Sequence, residues 1–108
     1  MTSLTKYERC DSWKSTVSFY SGSTLVDPSG NLAYIDVYDP NGTKIIESSG
    51  VKAGTGTYYR YINTTAANDL GIYRIRWYGS FYYDSVFGYM PRSEYEAVII
   101  TSVNQSWY

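Results

Sequence analysis

Apolar residues recur at every second position over short stretches of this chain, and a helical period is hard to find. In Ser15-Thr16-Val17-Ser18-Phe19-Tyr20, Val17 and Phe19 share one face. Between Asn31 and Tyr38, the residues Ala33, Ile35 and Val37 alternate with Tyr34, Asp36 and Tyr38, which assigns the first set to a core and the second to the opposite face. Thr43 to Glu47 and Thr57 to Asn63 read as further strands, the inward face of the latter being undecided. From Ile72 to Trp77, Tyr73, Ile75 and Trp77 point inward while Ile72, Arg74 and Arg76 point outward. Glu94 to Thr101 forms the last strand, apolar enough on both faces to expect cover from the core on one side and from a neighbour or the N-terminal arm on the other. The runs are β-branched and aromatic, lie between turn signals at roughly ten-residue spacing, and predict an all-β sandwich or barrel of about seven strands.

The punctuation supports that reading. Asp27-Pro28-Ser29-Gly30 makes one turn, and Asp39-Pro40-Asn41-Gly42 a hairpin, because Asn and Gly accept the positive φ angles that tight turns between twisted strands require. Gly50-Val51-Lys52-Ala53-Gly54-Thr55-Gly56 is glycine-rich but no phosphate loop: Gly-Lys-Ser and Gly-Lys-Thr are missing and a strand, not a helix, follows. It reads as a mobile turn with a bulge.

Asp69, Gly71 and Tyr73 have the spacing of a corner at which a tyrosine hydroxyl bonds back to upstream backbone. The stretch resembles the Asp-x-Gly-x-Tyr-x-Cys motif of immunoglobulin domains, with Ile75 where that family has its second disulfide cysteine. The resemblance implies an immunoglobulin-like β-sandwich without an inter-sheet disulfide. The order Val26-Asp27-Pro28, Val37-Tyr38-Asp39-Pro40-Asn41-Gly42, Gly54-Thr55-Gly56-Thr57-Tyr58 and Gly71-Ile72-Tyr73-Arg74-Ile75-Arg76-Trp77 is similar to small immunoglobulin-like proteins of tailed-phage and prophage structural modules. That similarity implies a non-enzymatic virion protein, made in the host cytoplasm, that mediates assembly contacts at the head-tail junction or as a capsid or tail accessory. Its implied partners are other virion structural proteins and copies of itself. No functional residues come with the resemblance.

Composition narrows the chemistry. The 108 residues suit one domain, with residues 1–14 as an N-terminal arm or edge strand, 15–102 as the sandwich and 103–108 as an aromatic tail. Net charge is -1, from nine basic and ten acidic residues in no long run, so nucleic acid is not an expected partner. Histidine is absent and Cys10 is the one cysteine, which removes the usual zinc sites, Ser-His-Asp and Cys-His arrangements and any intrachain disulfide. Cys10 reads as a small, partly buried hydrophobe. No apolar run reaches about 18 residues, and Met1 to Glu8 lacks a basic and then an apolar region, so neither a membrane nor a signal peptide is expected. Asp36, Asp39, Glu94 and Glu96 are the candidate catalytic carboxylates, of which Asp39 is better explained as a turn former ahead of Pro40 and Glu94 and Glu96 as solvent-side residues near an edge; Asp27, Asp39, Asp69 and Asp84 are the candidate calcium oxygens, without the Asp-x-Asp-x-Asp spacing. No cofactor or metal is expected.

The distinguishing feature is fourteen tyrosines, with three tryptophans and three phenylalanines. Tyrosine has an apolar body, a wet tip and little side-chain entropy to lose, which suits interfaces. Phe81, Tyr82, Tyr83, Phe87 and Tyr89, set among Ser and Gly, are candidate partner-binding residues; the competing reading is one long hairpin whose rings cover the sandwich edge. Trp107 and Tyr108 are expected to dock on this domain or on a neighbour. A carbohydrate-binding or adhesion module, using exposed rings against sugar faces, is the alternative function, and a small enzyme the third.

Overall fold

The computed structural model describes residues 5–8, 12–63, 69–86 and 88–101. It is all-β. The described residues form ten strands: β1 (Thr5–Glu8), β2 (Ser12–Ser18), β3 (Tyr20–Ser21), β4 (Thr24–Leu25), β5 (Tyr34–Tyr38), β6 (Lys44–Ser49), β7 (Val51–Gly54), β8 (Thr57–Asn63), β9 (Gly71–Asp84) and β10 (Gly88–Thr101). About seven are expected from the alternation. The two-residue β3 and β4 are too short to carry a period, and β7 lies in the glycine-rich passage read as a turn; the register shift between Lys52 and Gly54 is its bulge.

One sheet has the order β1-β10-β9-β5-β6 and a second the order β2-β8-β7, while β3 and β4 make a small hairpin. All pairs are antiparallel except β1 with β10, in which Thr5 aligns with Val98 and Tyr7 with Ile100. β1 therefore pairs with the edge of the last strand, where a cover over its outer face is the expectation from sequence; Ala97 and Ile99 remain half-buried there. β2 then joins the other sheet. It begins at Ser12, ahead of the expected boundary at residue 15, and contributes Trp13 to the core with Tyr7 stacked on it at 4.7 Å.

Both sheets feed one core. Trp13 and Val17 of β2 and Tyr58 and Ile62 of β8 meet Ile35 and Val37 of β5, Tyr73, Ile75, Trp77 and Phe81 of β9, and Val98 and Ile100 of β10. Each fully buried large side chain contributes about 1.5–3 kcal/mol, so these rows hold the layers together. Polar links cross the same gap: the Trp77 indole N–H donates to Ser15 Oγ at 2.9 Å, and Ser15 Oγ donates to Glu96 Oε1 at 2.9 Å. Ile75, at the position of the cysteine in the resembling motif, is fully buried.

Local chemistry fixes the joints. Asp39 ends β5: its carboxylate accepts from the amides of Asn41 and Thr43, both at 2.9 Å, and Gly42 supplies φ +86 before β6 begins. At the start of β9 the Tyr73 hydroxyl donates to the carbonyl of Asp69, while Asn41 Nδ2 donates to Asp69 Oδ2 at 2.9 Å. Gly71 between them has φ +137, and a Cβ there would stand 2.9 Å from Pro40 Cγ, so glycine alone fits. The Asp-Pro-Asn-Gly turn and the tyrosine corner are thus one packed end of the molecule.

Candidate functional site

Alternation places one set of side chains of the five-stranded sheet away from the core. Cross-strand register then brings them into ranks. Tyr34 aligns with Tyr78, and Tyr78 with Ser93; Asp36 aligns with Arg76, and Arg76 with Tyr95; beyond them Tyr82 aligns with Tyr89. Tyr34 and Tyr78 stack with centroids 5.5 Å apart, and the Arg76 guanidinium lies 4.1 Å from the Tyr78 centroid. Arg76 Nε also donates to Ser93 Oγ at 3.1 Å. The result is a pre-ordered aromatic and cationic surface, with Tyr95 74%, Tyr82 62% and Tyr89 61% exposed around it.

Asp36 lies on the face that the alternation sets opposite Ala33, Ile35 and Val37. It does point away from the core row, yet it is 1% exposed, because Arg76 and Lys44 from the flanking strands lie over it, with charged-atom separations of 3.6 and 3.7 Å. Its Oδ1 has no hydrogen-bond partner. Lys44 turns its remaining capacity to Glu47 Oε2 at 2.8 Å. Burial, reinforced by the Asp36 charge, raises the Tyr78 hydroxyl above its ordinary value. Arg76, outward by alternation, is therefore part of a built layer.

The aromatic candidates divide. Phe81 is 7% exposed and packs 4.9 Å from Phe19 in the core, while Tyr82 and Tyr89 are exposed and meet edge to face at 5.6 Å. The hairpin reading is the one found for the backbone: β9 and β10 pair from Gly71 with Ile100 out to Asp84 with Gly88. Tyr83 falls within β9, but its side chain lies outside the described residues, as do Phe87, Trp107, Tyr108 and Cys10 entirely.

Near the hairpin tip a concavity of about 520 Å³ is lined by Val26, Phe81, Met90 and Pro91 with Asp27 and Arg92. Arg92 lies 4.9 Å from the Phe81 centroid and donates to the Tyr20 carbonyl at 2.7 Å. Asp27 is more than the turn former that its place before Pro28 suggests. It accepts from the Gly56 amide at 2.8 Å, the Tyr58 hydroxyl at 3.0 Å and Lys52 Nζ at 3.0 Å. Nothing local in the sequence announces this, because all three donors come from residues about 25–31 positions away.

The Gly56 amide above all, then Lys52 and Tyr58, hold the Asp27 carboxyl below its ordinary 3.8, and burial followed by the Asp27 contact pushes Tyr58 up to about 12. The two groups act at opposite ends of the pH scale. Asp27 contributes stability that is present above pH 3.8 and lost as pH falls through its lower folded value; Tyr58 contributes stability that is full below pH 10.0 and lost as pH rises toward about 12. Urea unfolding across pH is expected to show both arms, with Tyr58→Phe flattening the alkaline one and, by taking one of three donors from Asp27, weakening the acid one in part; an unchanged alkaline arm in that variant would refute the assignment.

Of the carboxylates weighed for catalysis, Glu94 and Glu96 line one groove, while Asp36 and Asp39 lie apart from it. Asp39 caps its turn, Asp36 lies under Arg76 on the outer face, and Glu96 accepts from Ser15 on the inner side of β10. Among the described residues no group of three or more potential metal ligands assembles. Comparison of the chain with family models, with curated proteins and with solved structures finds no match.

Proposed function

We propose that the chain is an immunoglobulin-like β-sandwich that serves as a non-enzymatic contact protein of a tailed-phage-like particle. The observation that carries the contact role is the Tyr–Arg face of the five-stranded sheet. Tyrosine and arginine are the residues enriched where protein interfaces concentrate their binding energy, and here both are pre-ordered on one rigid surface. Exposed rings at Tyr82, Tyr89 and Tyr95 extend that patch beyond the isolated apolar residues normal for a surface.

Strand order supports the fold half of the reading. Immunoglobulin domains pair B-E-D in one sheet and G-F-C, with C′ in variable types, in the other. Equating β2, β8 and β7 with B, E and D, and β10, β9, β5 and β6 with G, F, C and C′, reproduces both orders. The bond from Tyr73 to Asp69 falls at the start of the strand equated with F. The particle context rests on the resemblance of motif order.

Sugar binding is the alternative, and exposed planar rings on one sheet speak for it. The ring geometry is less suited: Tyr82 and Tyr89 cross at 73°, and Tyr78 has Tyr34 and Arg76 against it, so neither pair offers a coplanar platform. Antibody against the purified chain is expected to label purified particles of the producing strain at a fixed position. A triple variant, Tyr82→Ser, Tyr89→Ser and Tyr95→Ser, is expected to stay folded and leave the particles. Absence of the intact chain from particles, or glycan-array binding lost in the same variant, would overturn the proposal.

A further inference from the structure

We infer that the open edge of β2 is a second interaction site, which accepts an extended segment of a partner protein carrying Lys or Arg at alternate positions. It lies on the other sheet from the Tyr–Arg face and stands whatever that face binds. β2 is hydrogen-bonded to β8 on one side, and no strand among the described residues pairs with the other. The Phe19 amide donates to the Gly56 carbonyl at 2.8 Å just past the end of β2. Antiparallel alternation from that point turns the backbone groups of residues 17, 15 and 13 toward β8 and those of Lys14, Thr16 and Ser18 outward. An edge of this kind is a template for strand addition unless it is blunted. Here the blunting is slight: β2 contains no proline, and its single charge, Lys14, leans over the Tyr59 ring at 5.3 Å on the outer face of the sheet.

Beneath the edge runs a groove of about 330 Å³ lined by Thr16 and Val17 of β2, Trp77 of β9 and Glu94 and Glu96 of β10. The bonds from Trp77 to Ser15 and from Ser15 to Glu96 place β2 over β9 and the near side of β10, so the next strand position in its sheet falls over β10. Glu94 and Glu96 belong to the inward row of β10, about 6.8 Å apart at strand spacing, and neither has a cation partner among the described residues. The Tyr7–Trp13 stack lies at one end of β2, and beyond the other end Arg92 is bonded to the Tyr20 carbonyl. The site therefore suits a short strand whose alternate side chains reach down to two carboxylates with the same two-residue spacing.

The two glutamates decide between occupants. A second copy pairing its own β2 antiparallel about Ser15 would bring both copies of Glu96 beside the twofold axis with no cation to offset them, whereas basic side chains at positions i and i+2 of a foreign strand neutralise the row.

The test uses the full chain, labelled for amide-resolved NMR, with the peptide Thr-Lys-Val-Lys-Val-Lys-Thr and its counterpart bearing Glu in place of Lys. The basic peptide is expected to bind and to slow hydrogen exchange of the Thr16 and Ser18 amides. The double variant Glu94→Gln, Glu96→Gln, in which the amide oxygen at position 96 still accepts from Ser15, is expected to bind about tenfold more weakly or worse. Thr16→Pro removes one outward amide without touching the pairing with β8, and is expected to keep its circular dichroism while losing the peptide. Failure of the basic peptide to bind, equal binding of the acidic one, or binding without protection at Thr16 and Ser18 would overturn the inference. So would concentration-dependent self-association that protects the same amides without peptide, since the occupant would then be a second copy.

Discussion

Trp77→Ala is expected to remove about 3–5 kcal/mol of stability, the range for truncating a buried large aromatic, from a total that for a domain of this kind is about 5–15 kcal/mol. Trp77 is 2% exposed and is placed where both sheets depend on it. Its ring fills the space opposite Gly50, where a Cβ would stand 2.5 Å from Cζ3, and its N–H donates to Ser15. Ala therefore loses transferred surface, leaves a cavity between layers and removes the indole's bond to Ser15. Ser15→Ala separates these contributions, since it keeps the ring and orphans the indole N–H; a loss of about 1–3 kcal/mol is expected from it. Urea unfolding followed by circular dichroism measures both. Equal losses in the two variants would mean that the hydrogen bond, not the packing, holds the sheets together here.

Gly71→Ala is expected to cost about 3 kcal/mol, through backbone strain at φ +137 and the approach of its Cβ to within 2.9 Å of Pro40 Cγ. Relief requires the Asp-Pro-Asn-Gly turn to move off the corner, which pulls on the Asn41–Asp69 bond and on the Tyr73–Asp69 bond. Gly22 is the control. It also has positive φ, at +65, but a Cβ there would meet nothing within 4 Å, so Gly22→Ala is expected to cost about 1–2 kcal/mol, for the backbone alone. A Gly71→Ala loss no larger than that of Gly22→Ala would show that the turn and the corner are not packed as one unit.

Legibility in the sequence follows how local the determining interaction is. Ala33, Ile35 and Val37 could be assigned inward because a strand with one apolar face announces it by period two, and all three are buried. Tyr73, Ile75 and Trp77 are buried for the same reason. β8 could not be assigned, because Tyr58, Tyr59 and Tyr61 put the same residue type on both faces; Tyr58 is buried and Tyr61 is 64% exposed. Period two also cannot say what lies over a face, and Asp36 is buried by Arg76 and Lys44 from neighbouring strands.

The candidate site divides along the same line. That tyrosines and arginines alternate outward on β9 is written in the order of residues 72–82. That Tyr34, Tyr78, Arg76 and Asp36 form one layer depends on β5 lying beside β9, a pairing between segments about 40 residues apart. The all-β character, the Asp-Pro-Asn-Gly turn and the inward rows of β5 and β9 are therefore set by residue order alone, because alternation and turn chemistry act within a few residues. Which tyrosines are core and which are surface, the passage of the N-terminal segment from one sheet to the other, the Asp27 network and the open edge of β2 are settled only in the folded chain. Each of those depends on which strand becomes a neighbour, and that choice is made by burial across the whole core.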